Sequence, residues 1–436
     1  MLAKQDSANP SPLFTVAIAT YQRGAKIQST LESVAGQSLD DFEVLVVSDG
    51  PPHHELAETV AAFGTKFRLL ELPERVGSQA GPNNFARDAA RGQYLAYLGH
   101  DDVWHPDHLE ALAAVFSMSP DVDFAISGTL LIGPAGAVDE LTWVTGIFSD
   151  EEPSPGFNHF FPPSSVAHRT SPHIPIGAWP DASSSRAPVD SAFLKRAAES
   201  GSVFGSTGRI TVYKFNSALR YLSYLQPEDR EQRKILELFS VPAALDRFTD
   251  ERVELTKRQG TYMFLRHPDP AKYQPGEIPR GYERIRGIKT ADLREVTSAV
   301  EMRIDDENRG FDWHPVEHDS GGSWIWSGPS THPRLALPFT TSTPVRVIFH
   351  VAAFISAEVK ESLRIFANGD EVAHTVEESA PNGSCAVAIT VNLRETQPTV
   401  IGFQMNQTVA PSKLNPSSPD HRQLGMCLTR VTLEPA

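Results

Sequence analysis

Three short, nearly unbroken apolar runs constrain this chain most: residues 13–19 (LFTVAIA), 42–47 (FEVLVV) and 94–98 (YLAYL). Strands that read as solid apolar runs are buried on both faces, which is the signature of a parallel sheet covered by helices. The intervening segments supply those helices. Ile27, Leu31 and Val34 recur at helical spacing, and residues 56–63 and 85–90 repeat the pattern, with a further strand at 67–72. Helices between parallel strands imply right-handed crossovers, so residues 13–130 read as a doubly wound α/β unit. In such sheets ligands sit beyond the carboxyl ends of the strands. Three clusters occupy those ends: Thr20-Tyr21, Ser48-Asp49-Gly50 and Gly99-His100-Asp101-Asp102.

The remainder changes texture twice. Residues 149–185 are rich in Pro, Ser and His with little periodicity, and a loop of that length in a compact domain calls for a function. Helices are expected near 191–200, 218–225 and 230–239, with a strand near 210–215. Residues 241–295 are charged, helix-prone and interrupted by prolines. Beyond about 298, short strands at 345–354, 362–367, 385–391, 399–404 and 428–433 are separated by turn residues such as Asn368-Gly369-Asp370. Strands with no helices between them indicate an antiparallel sandwich. The expected division is an α/β domain over 1–240, a helical connector over 241–297 and an all-β sandwich over 298–436.

A length of 436 residues suits two or three domains. With 39 Lys+Arg against 54 Asp+Glu the formal charge is −15, the wrong sign for a nucleic-acid surface. Two cysteines, Cys385 and Cys427, cannot build a disulfide scaffold; they allow a single bridge, and the plainer reading is two buried thiols in a reducing compartment. No apolar stretch reaches the roughly 18 residues of a transmembrane helix, and the polar start is unlike a signal peptide. The expectation is a cytoplasmic protein, at most peripheral at the inner membrane face.

Asp101 and Asp102 end a buried strand, where two carboxylates repel one another unless a cation or water satisfies them. Hard cations such as Mg²⁺ and Mn²⁺ bind through one or two carboxylates plus substrate phosphates; the plainer alternative is a loop whose Asp residues cap the next helix. Asp49 is placed to accept from a base imide or a ribose hydroxyl, although Asp-Gly-Pro also suits an Asx-turn. Arg209 and Lys214, in GRITVYKF, are cations that could approach phosphates, the more common fate of such residues being a solvated face. Trp313, Trp324 and Trp326 offer either a sugar-stacking platform or core packing.

Taken in order, VAIATYQR (16–23), DFEVLVVSDG (41–50), Asn83-Asn84 and ARGQYLAYLGHDDVWHPDHL (90–109) resemble the nucleotide-sugar domain of family 2 glycosyltransferases. The resemblance covers roughly residues 13–220 and implies a GT-A fold. It implies that Thr20 and Tyr21 line the nucleotide pocket and that Asp49 contacts the base. Arg23, Asn84 and His100 join the donor-binding set. Asp101 corresponds to the family's metal-binding Asp, holding Mn²⁺ or Mg²⁺ against the donor pyrophosphate with Asp102 beside it. Three positions depart from the pattern: Gly99 stands where the metal motif begins with an acidic residue, Ser48 replaces the first Asp of DDGS, and Asn83 replaces an Arg.

Transfer to an alcohol needs a general base. In APVDSAFLKRA (187–197) Asp190 matches the family's helix-opening acidic residue, with an N-cap as its bland role and Asp181 or Glu199 as substitutes. His168 and Arg169 are candidate acceptor or phosphate contacts. The resemblance implies an inverting, metal-dependent glycosyltransferase of the hexosyltransferase type, acting in surface polysaccharide or lipopolysaccharide-type glycan synthesis. Its partners would be a nucleotide-diphosphate sugar and a carbohydrate or lipid-linked glycan acceptor, with the C-terminal module serving acceptor binding or self-association. The alternatives are a catalytically inactive glycan-binding or scaffold protein on the same fold, which Gly99 suggests, and a sugar-phosphate nucleotidyltransferase, against which the missing Gly-rich loop argues.

Overall fold

A computed structural model describes residues 11–21, 24–51, 54–132, 142–146, 159–215, 229–241, 243–259, 265–266, 269–277, 293–304, 310–320, 322–329, 331–378, 384–395 and 398–436. Arg23 and the helix expected at 218–225 lie outside them. The chain divides into two compact units, one built mainly from residues 1–133, 139–216 and 227–282, the other mainly from 283–436.

In the first unit, β1 (Phe14–Thr20), β2 (Phe42–Ser48), β3 (Phe67–Glu71) and β4 (Tyr94–Gly99) are the expected apolar runs. They pair in parallel in the order β3-β2-β1-β4. The order reverses between β1 and β4, which opens the crevice where such sheets bind ligands. Alternate residues of each strand feed two cores. Val16, Ile18, Val44 and Val46 pack with Leu31 of α1 (Gln28–Ala35), Leu56 of α2 (His54–Ala61) and Leu112 of α4 (His108–Met118). Ala17, Leu45 and Val47 pack on the other side with Ala86 of α3 (Ala80–Ala89) and Phe193 of α5 (Val189–Glu199). Burial on both faces is what an unbroken apolar run requires.

The strands continue with β5 (Val103–Trp104), β6 (Phe124–Ile132) and β7 (Thr142–Thr145), while β8 (His159–Phe160) starts a small separate ladder. After β9 (Val166–Arg169) and α5 comes β10 (Phe204–Phe215). Among the described residues the sheet has nine strands, with β9 inserted antiparallel between β4 and β6. Next, β10 runs parallel to β6 and antiparallel to β5, with Tyr213 opposite Val103. This pairing carries the end of β10 to the turn that follows β4. Two helices, α6 (Arg230–Phe239) and α7 (Ala244–Gln259), and the short β11 (Leu265–Arg266), paired with β8, follow among the described residues.

Two buried polar contacts pin the amino ends of the parallel strands. Glu43, 3% exposed, accepts from Thr15 and from the backbone and guanidinium of Arg91. Burial alone would raise its carboxyl pKa, yet these bonds outweigh it and hold the carboxyl below its ordinary value. Gly92 donates its N–H to Thr15 Oγ1 at 2.9 Å. A Cβ at Gly92 would collide with Thr15 N and lie 2.6 Å from Phe14 C, both rigid backbone. Gly92→Ala is therefore expected to destabilise this unit by about 3 kcal/mol or more, at the upper end of overpacking costs, read as a lowered denaturant midpoint.

The second unit is β-rich, with β12 (Arg294–Glu295), β13 (Val300–Arg303), β14 (Glu317–Asp319), β15 (Gly322–Trp326), β16 (Arg334–Leu337), β17 (Phe339–Thr340), β18 (Val345–Phe354), β19 (Arg364–Ala367), β20 (Asp370–Val372), β21 (His374–Glu378), β22 (Cys385–Val391), β23 (Thr399–Gln404) and β24 (Met426–Pro435). Among the described residues seven strands form one sheet around β18 and β24; four form another, β16-β23-β19-β20. The strand pairings within both are antiparallel. Val347, Phe349 and Leu428 of the first share a core with Leu335, Ile401 and Phe403 of the second, and the Phe349 and Phe403 rings meet edge to face at 5.0 Å. Trp313 belongs to that core, 7% exposed with its indole N–H on the Arg334 carbonyl, so it is no sugar platform. Cys385 and Cys427 are buried free thiols.

Candidate active site

The carboxyl end of β4 makes a tight turn, with Asp102 N–H closing on the Gly99 carbonyl at 3.1 Å. Its two carboxylates have different fates. Asp102 is fully buried. Its Oδ2 accepts from Ser164 Oγ and from Lys214 Nζ at 2.8 Å, and its Oδ1 accepts from Phe215 N–H at 3.1 Å. Ser164 Oγ in turn accepts from Gly99 N–H, and Thr30 Oγ1 donates to the Asp102 carbonyl. A carboxylate with three donors and no exposure is an internal anchor. The expectation that Asp102 helps bind a cation is thereby corrected: Lys214 already stands where the cation would.

The same geometry explains Gly99. A Cβ there would lie 2.7 Å from Asp102 Oδ2 and 3.3 Å from Ser164 Oγ, so the inward Asp102 fills the space an acidic side chain at 99 would need.

Asp101 is half-buried, its backbone carbonyl held by Gln232 Nε2 of α6 at 2.9 Å. One oxygen-donor carboxylate at a strand end fits a hard divalent cation that takes its remaining ligands from phosphates and water. Among the described residues, no three His, Cys, Asp or Glu side chains gather into a self-sufficient metal cage. His100 is buried beside this turn.

At the neighbouring strand ends, Thr20 is buried, and among the described residues its Oγ1 has no hydrogen-bond partner. Asp49, 5% exposed, accepts from Val76 N–H at 2.7 Å and Gly77 N–H at 2.8 Å, one on each oxygen. Its first task is thus to fold the 75–77 loop over the Asp49-Gly50 turn, where Gly50 takes φ +95°. That loop places the Arg75 guanidinium 4.5 Å above the Tyr21 ring. The cation–π pair makes a flat, charged platform at the end of β1.

Asp190 lies in the first turn of α5 and is not its N-cap, a position held by Pro188. Its Oδ1 accepts from Ser191 N–H at 2.8 Å and its Oδ2 from Gln79 Nε2 at 3.4 Å. Burial pushes its pKa above the ordinary Asp value, more than these bonds and the Lys214 charge pull it down. A carboxylate whose proton affinity is raised is suited to base catalysis. Lys214 couples the pieces. Burial weakens its ammonium, but Asp102, Asp101 and Asp190 together outweigh that and keep it charged. The two substitutes for Asp190 are engaged elsewhere: Asp181 closes a turn on Ser183 N–H, and Glu199 sits at the far end of α5, 3.6 Å from Lys195.

Other expected contacts are structural. His168 is buried, its Nδ1 facing the Arg169 carbonyl and its Nε2 the Tyr97 hydroxyl at 2.9 Å. Desolvation takes its pKa down to about 4, so it is a neutral core histidine. Arg169 donates to the carbonyls of Val122 and Pro120 and covers the rings of Tyr94 and Phe116. Neither reaches toward a phosphate. Arg209 pairs with Asp107 at 2.7 Å. Asn84 grips the backbone of Trp179 in both directions, at 3.0 and 2.7 Å, while the Trp179 ring stacks on Phe193. It therefore pins the loop ahead of α5. Asn84→Ala is expected to cost about 1–3 kcal/mol and to accelerate amide exchange across 176–182, measured by hydrogen–deuterium exchange.

Ser164, Gln79, Gln232 and Arg75 were not legible as site residues. Each is an ordinary polar residue whose role depends on a partner far along the chain.

Residues 15–153 match the family described as Glycosyl transferase family 2. An uncharacterized glycosyltransferase of Methanocaldococcus jannaschii is 28% identical over 130 residues, 29% of this chain and 45% of its own. The amylovoran biosynthesis glycosyltransferase AmsB of Erwinia amylovora is 36% identical over 101 residues, 22% of this chain and 33% of its own. These alignments span less than half the length of either relative. Among solved structures, S. aureus TarS aligns at 16% identity over 86% of this chain and 72% of its own, with a TM-score of 0.39, too low to bear on a fold that the strand order already defines. Strand order, motif positions and family match agree over one segment: residues 15–153 of this chain are similar to the family 2 glycosyltransferases.

Proposed function

We propose that the chain is an inverting glycosyltransferase of the hexosyltransferase type, moving a sugar from a nucleotide-diphosphate donor to a carbohydrate hydroxyl in surface polysaccharide or lipopolysaccharide-type glycan synthesis. The observation that carries this reading is the turn after β4, where Asp101 stands half-buried at a strand end while its neighbour Asp102 is tied to Lys214 of β10 at 2.8 Å; the Lys214 charge also lowers the proton affinity of Asp190. Asp190 takes the proton of the acceptor hydroxyl, whose oxygen bonds to the anomeric carbon. The bond from that carbon to the diphosphate oxygen breaks, its electron pair leaving with the nucleoside diphosphate. Asp101 would hold a divalent cation against the diphosphate. When bound, that cation supplies charge neutralisation to the leaving group. The Tyr21–Arg75 platform and Thr20 line the base-proximal side. The pathway assignment rests on relatives such as the amylovoran enzyme.

The 298–436 module would assist acceptor binding or self-association. Among the described residues, no helix is long and apolar enough to cross a membrane, which suits a peripheral site of action.

The test is incubation with a panel of nucleotide sugars and oligosaccharide acceptors in Mn²⁺, following nucleoside diphosphate release and the product's anomeric configuration by NMR. Product of inverted configuration is expected. Retained configuration would sink the single-displacement scheme, and specific glycan binding without any diphosphate release would establish the inactive scaffold instead.

A further inference from the structure

The end of β10 is apolar and buried at Val212, Tyr213 and Phe215; Lys214 alone interrupts it with a charge. A buried lysine–carboxylate pair gains little over an apolar pair of the same volume, so stability does not account for it. The ammonium carries three N–H donors. Among the described residues it spends one, on Asp102. Its side chain is 21% exposed while Asp102 is fully enclosed, so within the pair it is Lys214 that keeps contact with the open side. Asp101 and Asp190 both act on the same charge. An anion entering between these carboxylates meets repulsion from each, and a fixed cation among them offsets it.

We propose that Lys214 is a second donor-binding cation: it contacts the donor's diphosphate alongside the metal held by Asp101 and, by holding Asp102, keeps that carboxylate out of the metal's ligand set. The proposal rests on reading this cleft as the donor site. It assigns one residue two effects of opposite sign. Removing the ammonium frees Asp102 and makes the empty site more negative, which favours a divalent cation. The same change takes away a charged donor to phosphate, which disfavours the nucleotide.

Mn²⁺ binding to the nucleotide-free full chain is measured by the electron paramagnetic resonance signal of free Mn²⁺. Binding of UDP, GDP, CDP, ADP and TDP at saturating Mn²⁺ is measured by calorimetry. Lys214→Met is expected to tighten Mn²⁺ several-fold and to weaken the bound nucleoside diphosphate roughly ten- to a hundredfold, the range of one charge-assisted hydrogen bond. Lys214→Arg, which keeps the charge, should stay near wild type in both. Asp101→Asn should lose Mn²⁺ binding. Partial misfolding weakens both ligands together and cannot mimic opposite shifts. The neutral pair Asp102→Asn/Lys214→Gln retains a hydrogen bond where Lys214→Met does not; it should show the nucleotide loss without the gain in Mn²⁺ affinity. If Lys214→Met and the neutral pair bind nucleotide as wild type does, the Lys214 assignment falls while the donor site stands. If wild type binds none of the five nucleotides, the donor-site reading fails and this assignment with it.

Discussion

Asp190→Asn is expected to lower kcat by about 10²–10⁴-fold, the usual contribution of a positioned general base, while leaving donor affinity within about twofold of wild type. Asn preserves the size of the side chain and keeps one oxygen to accept from Ser191 N–H, while its NH2 can donate to Gln79 once that amide turns over, so the first turn of α5 is retained and the proton acceptor disappears. The pH profile provides a second signature. A base acts in its ionised form, so kcat/KM rises with pH through its pKa. Because burial raises Asp190, the acid limb should lie above the ordinary Asp value of 3.8, and it should vanish in the variant. Undiminished turnover would remove Asp190 from the mechanism, and neither Asp181 nor Glu199 is placed to replace it.

Asp102→Ala is expected to be among the most damaging single changes in the first unit. It leaves the Lys214 ammonium, the Phe215 N–H and the Ser164 hydroxyl facing a space without an acceptor. Breaking one side of a buried ion pair costs about 3–5 kcal/mol, and in a unit of this size that lowers the melting temperature by on the order of 10 °C. The compensated variant Asp102→Ala/Lys214→Leu should recover most of the loss, because no uncompensated charge remains. Calorimetry on both separates the cases. A shift of under about 2 °C for Asp102→Ala would mean that the carboxylate is not the anchor described.

The parallel strands were legible because burial on both faces demands apolar residues at every position, and β1, β2 and β4 satisfy that demand. In the second unit β18, β22 and β23 begin and end where their alternating or apolar runs do. Strands built from polar residues stayed hidden. The antiparallel insertion β9 reads VAHR, and β13 reads VEMR with two exposed charges. The early half of β10, GSTG, has no periodicity, and its register against β6 is irregular there. At the candidate site, the strand-end rule singled out these carboxylates but not the directions of their side chains. Asp101 and Asp102 looked equivalent in sequence; what separates them is Lys214, 112 residues later, brought in by a ladder between β5 and β10. His168 and Arg169 looked functional because a loop rich in His and Pro hides a strand that buries His168 and turns Arg169 onto the carbonyls of Val122 and Pro120.

The fit of Asp102 against the bare Cα of Gly99 imposes an order on mutational paths. An acidic residue introduced first at 99 meets an occupied space and displaces the carboxylate that anchors β10. Made after position 102 has been shortened and Lys214 neutralised, the same change enters vacated room. Two routes with identical endpoints thus differ in the intermediates they pass through, and a designer who wishes to alter the metal motif here must change position 102 together with Lys214 before touching position 99.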